Sequence, residues 1–190
     1  AADWADAGGG AWSLVSKSTI SNANTVNYTV SAGVWYRFMI YGLTMATSQL
    51  RLALQLSSDG GSNMAYWCHT SNEIYNYSAS TSNVINEHAY IDHMKLTEQV
   101  LRLSNTGNGV NYNGTVLEVN YYQPTSGTGE ECRVWGYAHG WGTQRRREFF
   151  RCHVINTQDN INYLRFVNEN KTTASAWNLY GQWNLYKMEP

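Results

Sequence analysis

Glu87, His88, Asp92 and His93 form the densest cluster of ionisable side chains able to ligate a metal in this 190-residue sequence. On a helix, His88 and Asp92 would lie four residues apart on one face and could hold a metal ion. The segment lacks an HExxH pattern, so satisfied surface histidines are the expectation. Cys68-His69 and Cys152-His153 each set a nucleophile beside a base. Neighbours on a strand point to opposite faces, so neither pair is expected to act as a dyad. Glycoside hydrolysis needs two carboxyls roughly 5–10 Å apart. Asp59, Glu73, Asp92, Glu130 and Glu131 are the candidate acids. A catalytic member of Asp59, Asp92, Glu130 and Glu131 would titrate near neutral pH in a cleft. Asp59 stands in a DGG turn signal, where its side chain is expected to bond the backbone instead. No GxSxG elbow, P-loop or GxGxxG occurs. The three cysteines, Cys68, Cys132 and Cys152, are an odd set without CxxC spacing, which argues against a disulfide framework or a zinc site. The expectation is a chain that is not an enzyme and carries no catalytic residue, metal or cofactor.

Composition points the same way. Hydrophobic residues make up 43% and charged residues 14%, against roughly 25% charged in ordinary soluble domains. Asn, Ser, Thr and Gly fill the deficit, together with 14 Tyr and 8 Trp. Such a surface is polar, weakly charged and rich in amphipathic rings, and suits contact with sugars or sister subunits. A net charge of −1 gives no footprint for a phosphate backbone, and the one basic cluster, Arg145-Arg146-Arg147, runs straight into Glu148. The longest apolar run, residues 34–43, is broken by Arg37 and is far shorter than the ~20 residues of a membrane span. Neither nucleic-acid binding nor membrane insertion is expected. Residues 1–10 begin with Ala and lack the basic and apolar parts of a secretory leader, which predicts synthesis in a cytoplasm. The four N-x-S/T sequons, at Asn27, Asn76, Asn113 and Asn170, are then by-products of composition.

The elements that would position these residues are strands. Leu50, Leu52, Leu54 and Leu56 alternate with Gln49, Arg51, Ala53 and Gln55, the pattern of a half-buried strand. Val26, Tyr28 and Val30 repeat the pattern earlier, and Leu117, Val119 and Tyr121 later. Trp177, Leu179, Gly181, Trp183 and Leu185 share a face of the last strand. Gly-, Asn- and Ser-rich turns separate the runs, at residues 57–62, 105–109, 111–114 and 126–130. The pattern predicts an all-β chain of about nine or ten strands, an antiparallel β-sandwich of the jelly-roll kind. Residues 83–103 are ambiguous between a short helix and a loop followed by a strand from Leu96, and the second suits the architecture. A chain of this length suits one domain and buries roughly 70% of its unfolded surface, so residues 11–190 are expected to form a single sandwich behind an arm of residues 1–10.

One hairpin carries the most information. With residues 140–144 as its loop, a simple register pairs His139 with Arg145, Tyr137 with Arg147, Trp135 with Phe149 and Arg133 with Arg151. All eight then share one face. The other face holds Cys132, Val134, Gly136 and Ala138 against Cys152, Phe150, Glu148 and Arg146, and is the expected core side. The first face has three readings: a ring platform for sugars, a subunit interface, or plain outer surface. The same register sets Cys132 opposite Cys152, close enough for a disulfide, although buried free thiols are expected in a reducing compartment.

An ordered set of motifs adds a resemblance. Trp12-Ser13-Leu14-Val15 opens the first strand, and Leu54-Gln55-Leu56-Ser57-Ser58-Asp59-Gly60-Gly61-Ser62 joins an alternating strand to a hairpin. An aliphatic strand at residues 161–167 and Trp177-Asn178-Leu179-Tyr180-Gly181 follow. In this order they resemble the β-sandwich, jelly-roll-like virion proteins of tailed bacteriophages, across nearly the whole chain. The family often has Gly before its final strand, where this chain has Ala174-Ser175-Ala176, and this chain continues beyond Gly181. The resemblance implies a non-enzymatic virion component, commonly trimeric, made in the host cytoplasm. A capsid decoration or small accessory protein is expected, or else the receptor-facing end of a tail fibre. Its partners would be copies of itself, with the major capsid protein or a tail component. The alternative is a lectin-like adhesin in which Trp135, Tyr137 and Trp141, with Tyr121 or Tyr122, stack on cell-surface glycan.

Overall fold

Alternation in the sequence reappears as alternation in burial. The computed structural model describes residues 11–45, 52–64, 68–76, 84–90, 93–96, 116–125, 132–140, 146–154, 160–168 and 179–189. Every regular element among them is a strand: β1 (Ser13–Ala23), β2 (Thr25–Thr29), β3 (Trp35–Met45), β4 (Leu52–Ser57), β5 (Cys68–Asn76), β6 (Val84–Tyr90), β7 (Met94–Lys95), β8 (Val116–Tyr122), β9 (Arg133–Gly140), β10 (Arg146–Val154), β11 (Tyr163–Asn168) and β12 (Leu179–Met188). Taking β1 and β2 as one bent run and setting aside two-residue β7 gives the ten strands visible in the sequence pattern. No helix among the described residues is long and apolar enough to cross a membrane.

Two antiparallel sheets form a β-sandwich. One has eight strands in the order β1-β12-β3-β8-β9-β10-β5-β6, and the other has four, β2-β11-β4-β7. Without β5, β6, β9 and β10, the remaining eight strands form two four-stranded sheets, β1-β12-β3-β8 and β2-β11-β4-β7, and the chain changes sheet at every step except between β4 and β7, which is the jelly-roll arrangement. The other four strands are two hairpins inserted into that frame. They pair with each other through β10 and β5, and through β9 they extend the larger sheet beyond β8.

The core lies between the sheets. Phe166 is fully buried and packs edge-on against Trp183 at 5.1 Å, Phe38 at 5.1 Å and Tyr28 at 6.1 Å. Perpendicular rings place the positive edge of one on the negative face of another, which adds to the burial of their large apolar area. Leu117, Val119 and Tyr121 are fully buried on β8, as are Leu179 and Trp183 on β12. Both strands follow the faces that their alternation predicts.

Three details differ from the sequence reading. β4 is buried on both faces, because Ala53, Gln55 and Ser57 are as enclosed as Leu52, Leu54 and Leu56. The ambiguous segment is a strand from Val84 to Tyr90, neither helix nor loop, and pairs with β5. The later strand expected from Leu96 is met only by two-residue β7 just before it, and residues 97–103 lie outside the described residues. The β9–β10 register is shifted by two: His139 faces Arg147, Tyr137 faces Phe149, Trp135 faces Arg151, and Arg133 faces His153. A shift of two preserves which face each side chain occupies, so the faces survive while the partners change. It also sets Val134, not Cys132, opposite Cys152, which removes the geometric basis for a Cys132–Cys152 bridge. All three cysteines are buried thiols.

Candidate contact face

On β3, Tyr36, Phe38 and Ile40 enter the core, so Trp35, Arg37, Met39 and Tyr41 face outward. Glu118, Asn120 and Tyr122 do the same on β8, and Trp135, Tyr137 and His139 on β9. The antiparallel registers align them in rows across the sheet. One row runs Trp35, Tyr122, Arg133, His153, His69, and the next runs Arg37, Asn120, Trp135, Arg151, Ser71. A third runs Met39, Glu118, Tyr137, Phe149, Glu73. The outer face of the large sheet therefore carries rings and charges of both signs, most of them on the inserted hairpins and the strand that receives them.

These side chains hold one another. Trp35 stacks on Tyr122 at 4.3 Å and meets Trp135 edge-on at 5.6 Å. Tyr137 lies against Phe149 at 6.5 Å, and the rings of His69 and His153 are 5.2 Å apart. Arg37 Nε donates to Asn120 Oδ1 at 3.0 Å and lies 3.5 Å from Glu118 Oε1. Asn120 Nδ2 donates to the same Glu118 oxygen at 2.9 Å. The Arg37 guanidinium also sits 4.2 Å above the Trp12 ring, a cation–π contact. Partial burial, then the Glu118 charge, raises the Tyr137 hydroxyl above the ordinary tyrosine range. Phe149 is 44% exposed, a large apolar ring left in water. It separates two shallow depressions, one of about 460 Å³ against Tyr137 and His139 and one of about 490 Å³ against Trp135 and Arg151.

The hairpin residues singled out in the sequence divide as follows. Arg133, Trp135, Tyr137, His139, Phe149 and Arg151 are brought together on this face, with Arg133, Phe149 and Arg151 exposed. The backbone of Arg147 falls in the same row as His139. Trp141 and Arg145 lie outside the described residues. Tyr121 is fully buried, so only Tyr122 of that pair is available for stacking on a ligand. Trp12, Trp35, Arg37, Glu118 and Asn120 were missed. The outward positions of Trp35, Arg37, Glu118 and Asn120 follow from alternation on β3 and β8, but the pairing of those strands does not, since Arg37 and Asn120 are 83 residues apart in sequence.

The candidate reactive groups are dispersed. Register places Glu87 opposite Ser71 and the backbone of His88 opposite Thr70. His93 is only 5% exposed, so it is not the surface histidine expected, and Asp92 is outside the described residues. Among the described residues no three metal-ligating side chains come together. His69 and His153 face outward while Cys68 and Cys152 face the core, as strand geometry requires. Burial pushes the Cys152 thiol up to about 12 and that of Cys132 higher still. Thiolate is the reactive form, so at pH 8 both should resist a maleimide in the folded chain and react once denaturant opens it. Labelling of either peptide without denaturant, read by mass spectrometry, would contradict their burial.

Asp59 is a structural acid. Its Oδ1 accepts from Ser57 Oγ at 2.5 Å and from the backbone N–H groups of Ser62 and Asn63, each at 2.9 Å. Ser57 Oγ in turn accepts from the N–H groups of Asp59 and Gly61. These bonds, led by that from Ser57, hold the Asp59 carboxyl below its ordinary range, opposite to what a neutral-pH catalytic acid requires. Glu130 and Glu131 lie outside the described residues. A depressed folded pKa stabilises the fold above the unfolded value, near 4, and the contribution disappears as pH falls through the folded value. Asp59→Ala is therefore expected to be less stable than wild type at pH 7, with the gap closing in acid. Urea unfolding at both pH values checks this. Gly61, at φ +98°, leaves no room for a Cβ, which would lie 2.7 Å from Cε1 of Tyr163. Gly61→Ala should cost about 1–3 kcal/mol by the same measurement.

No protein-family model, no curated protein and no solved structure matches the chain.

Proposed function

We propose that the chain is a non-enzymatic structural protein of a tailed-phage virion that meets its neighbours through the outer face of the eight-stranded sheet. It is a surface-exposed homo-oligomer, a trimer, and serves as a capsid decoration or small accessory protein. The observation that carries this reading is the continuous outer face on which Trp135, Tyr137, Phe149, Arg133 and Arg151 converge. Tyr, Trp and Arg are the side chains that dominate protein contacts, because they offer large area and directional bonds at low cost in conformational freedom. The four inserted strands supply most of that face, as expected when a site is grafted onto a common frame.

The motif order supports the phage assignment. Its DGG hairpin follows a leucine strand at β4, its aliphatic strand coincides with β11, and its Leu-Tyr-Gly begins β12. The test is electron microscopy of phage particles labelled with antibody against this chain. Regular label on the head fits a decoration protein, and label at the tail moves the chain to the fibre. Particles that carry no label refute the assignment.

A further inference from the structure

Where β3, β8 and β9 meet, the outer face dips into a depression of about 320 Å³ walled by Trp12, Trp35 and Trp135 and floored by Arg37, Glu118 and Asn120. We infer that this depression is a binding site for a neutral sugar ring, a hexopyranose at the end of a glycan. The inference rests on the outer sheet face being a contact surface, but not on virion attachment.

Three features select that ligand. The first is size, which falls at the lower end of the roughly 300–1,000 Å³ of small-molecule sites and suits one ring rather than a peptide. The second is the walls. Trp35 is pinned by Tyr122 on its face and by Trp135 at its edge, so the indoles form a fixed apolar platform. The negative face of an indole attracts the positive C–H bonds on one side of a pyranose. The third is the floor. Arg37, Asn120 and Glu118 are tied to one another, so their planes are set before a ligand arrives. Together they offer donors and an acceptor side by side, which adjacent sugar hydroxyls can satisfy because each both donates and accepts.

Charge narrows the class further. Arg37 and Glu118 cancel, and the guanidinium already has a second partner in Trp12. An anionic ligand would meet the Glu118 carboxylate, and a cationic one would meet Arg37. A neutral polyol meets neither penalty. Arg37 and Glu118 are 36% and 18% exposed at the side chain, so both are within reach of a ligand.

The test is a titration of the purified full chain with glucose, galactose, mannose and N-acetylglucosamine, and with glucuronate as the anionic control. Each goes to about 50 mM, while indole N–H resonances are followed by NMR. At least one neutral sugar should shift the Trp35 and Trp135 signals with a Kd on the order of 1 mM, and glucuronate should bind more weakly. Trp135→Ala should weaken binding about tenfold, and Glu118→Gln, which preserves shape while breaking the charge lock on Arg37, about fivefold. Absence of any shift with all four neutral sugars overturns the inference, as does binding indifferent to both substitutions. Indole shifts that follow protein dilution instead of sugar would seat a second copy of the chain there and overturn it too. Light scattering on the same samples separates the two readings. A chain that binds no sugar yet loses its assembly on Phe149→Gln keeps the contact face and loses the sugar site.

Discussion

Replacing Gly136 with alanine lowers the stability of the chain by about 3 kcal/mol or more, the largest effect expected from adding one methyl group at a described glycine of the eight-stranded sheet. Gly136 lies between Val119 on β8 and Phe150 on β10. A Cβ there would overlap the backbone carbonyl oxygen of Glu118 and come 2.7 Å from Cζ of Phe150. Neither neighbour can yield cheaply. Glu118 is held by the ladder between β8 and β9, and Phe150 is 1% exposed. The ring of Phe150 covers the glycine and fills the space that a side chain would take. Gly136 also separates Trp135 from Tyr137, so a displaced strand would misplace both contact residues. Urea unfolding measures the change, with Ala138→Gly, on the same side of β9, as a control expected to cost about 1 kcal/mol or less. A Gly136→Ala chain within about 1 kcal/mol of wild type would mean that β8 and β9 are not packed this closely.

Trp183→Ala is expected to cost a similar amount, about 3–5 kcal/mol, through the cavity that it leaves beneath Phe166. Trp183 is fully buried at the centre of the sandwich and is among the largest enclosed side chains. Its indole Nε1 has no hydrogen-bond partner among the described residues. That donor is a standing penalty, because a buried N–H without an acceptor loses its bond to water. Trp183→Phe removes the penalty while retaining most of the ring, so it should cost only ~1–2 kcal/mol. Equal losses for the two variants would show that the indole nitrogen is satisfied.

Much of the fold was legible because a strand obeys a period of two. Trp183 and Leu185 in, Asn184 and Tyr186 half-out, can be read directly from residue type. An all-β sandwich or barrel follows from such runs separated by Gly- and Asn-rich turns, whereas the strand order that makes it a jelly roll does not. The alternation of β4 misled on burial, since Gln55 and Ser57 have polar side chains yet lie on a covered face. Periodicity tells which residues share a side, but not what covers that side.

The contact face was half legible for the same reason. Faces of the 131–155 hairpin survived an error of two in register, because every second residue returns to the same side. The partners did not survive: Arg133 meets His153 in place of Arg151, and Cys152 meets Val134 in place of Cys132. The Trp12–Trp35–Trp135 depression was not visible at all. Its walls come from three stretches of sequence that become neighbours only when β12 joins β1 to β3 and β8 joins β3 to β9. Nothing in the local pattern of any one strand specifies that neighbour.

The central claim is that the outer face of the large sheet is built for contact, and solution mass tests it most directly. Light scattering on the purified chain should give about three times its 21.5 kDa, falling towards the single-chain mass in Phe149→Gln, whose exposed ring lies at the centre of that face. A wild-type chain that runs at 21.5 kDa at every concentration, or an assembly that Phe149→Gln leaves intact, would contradict it.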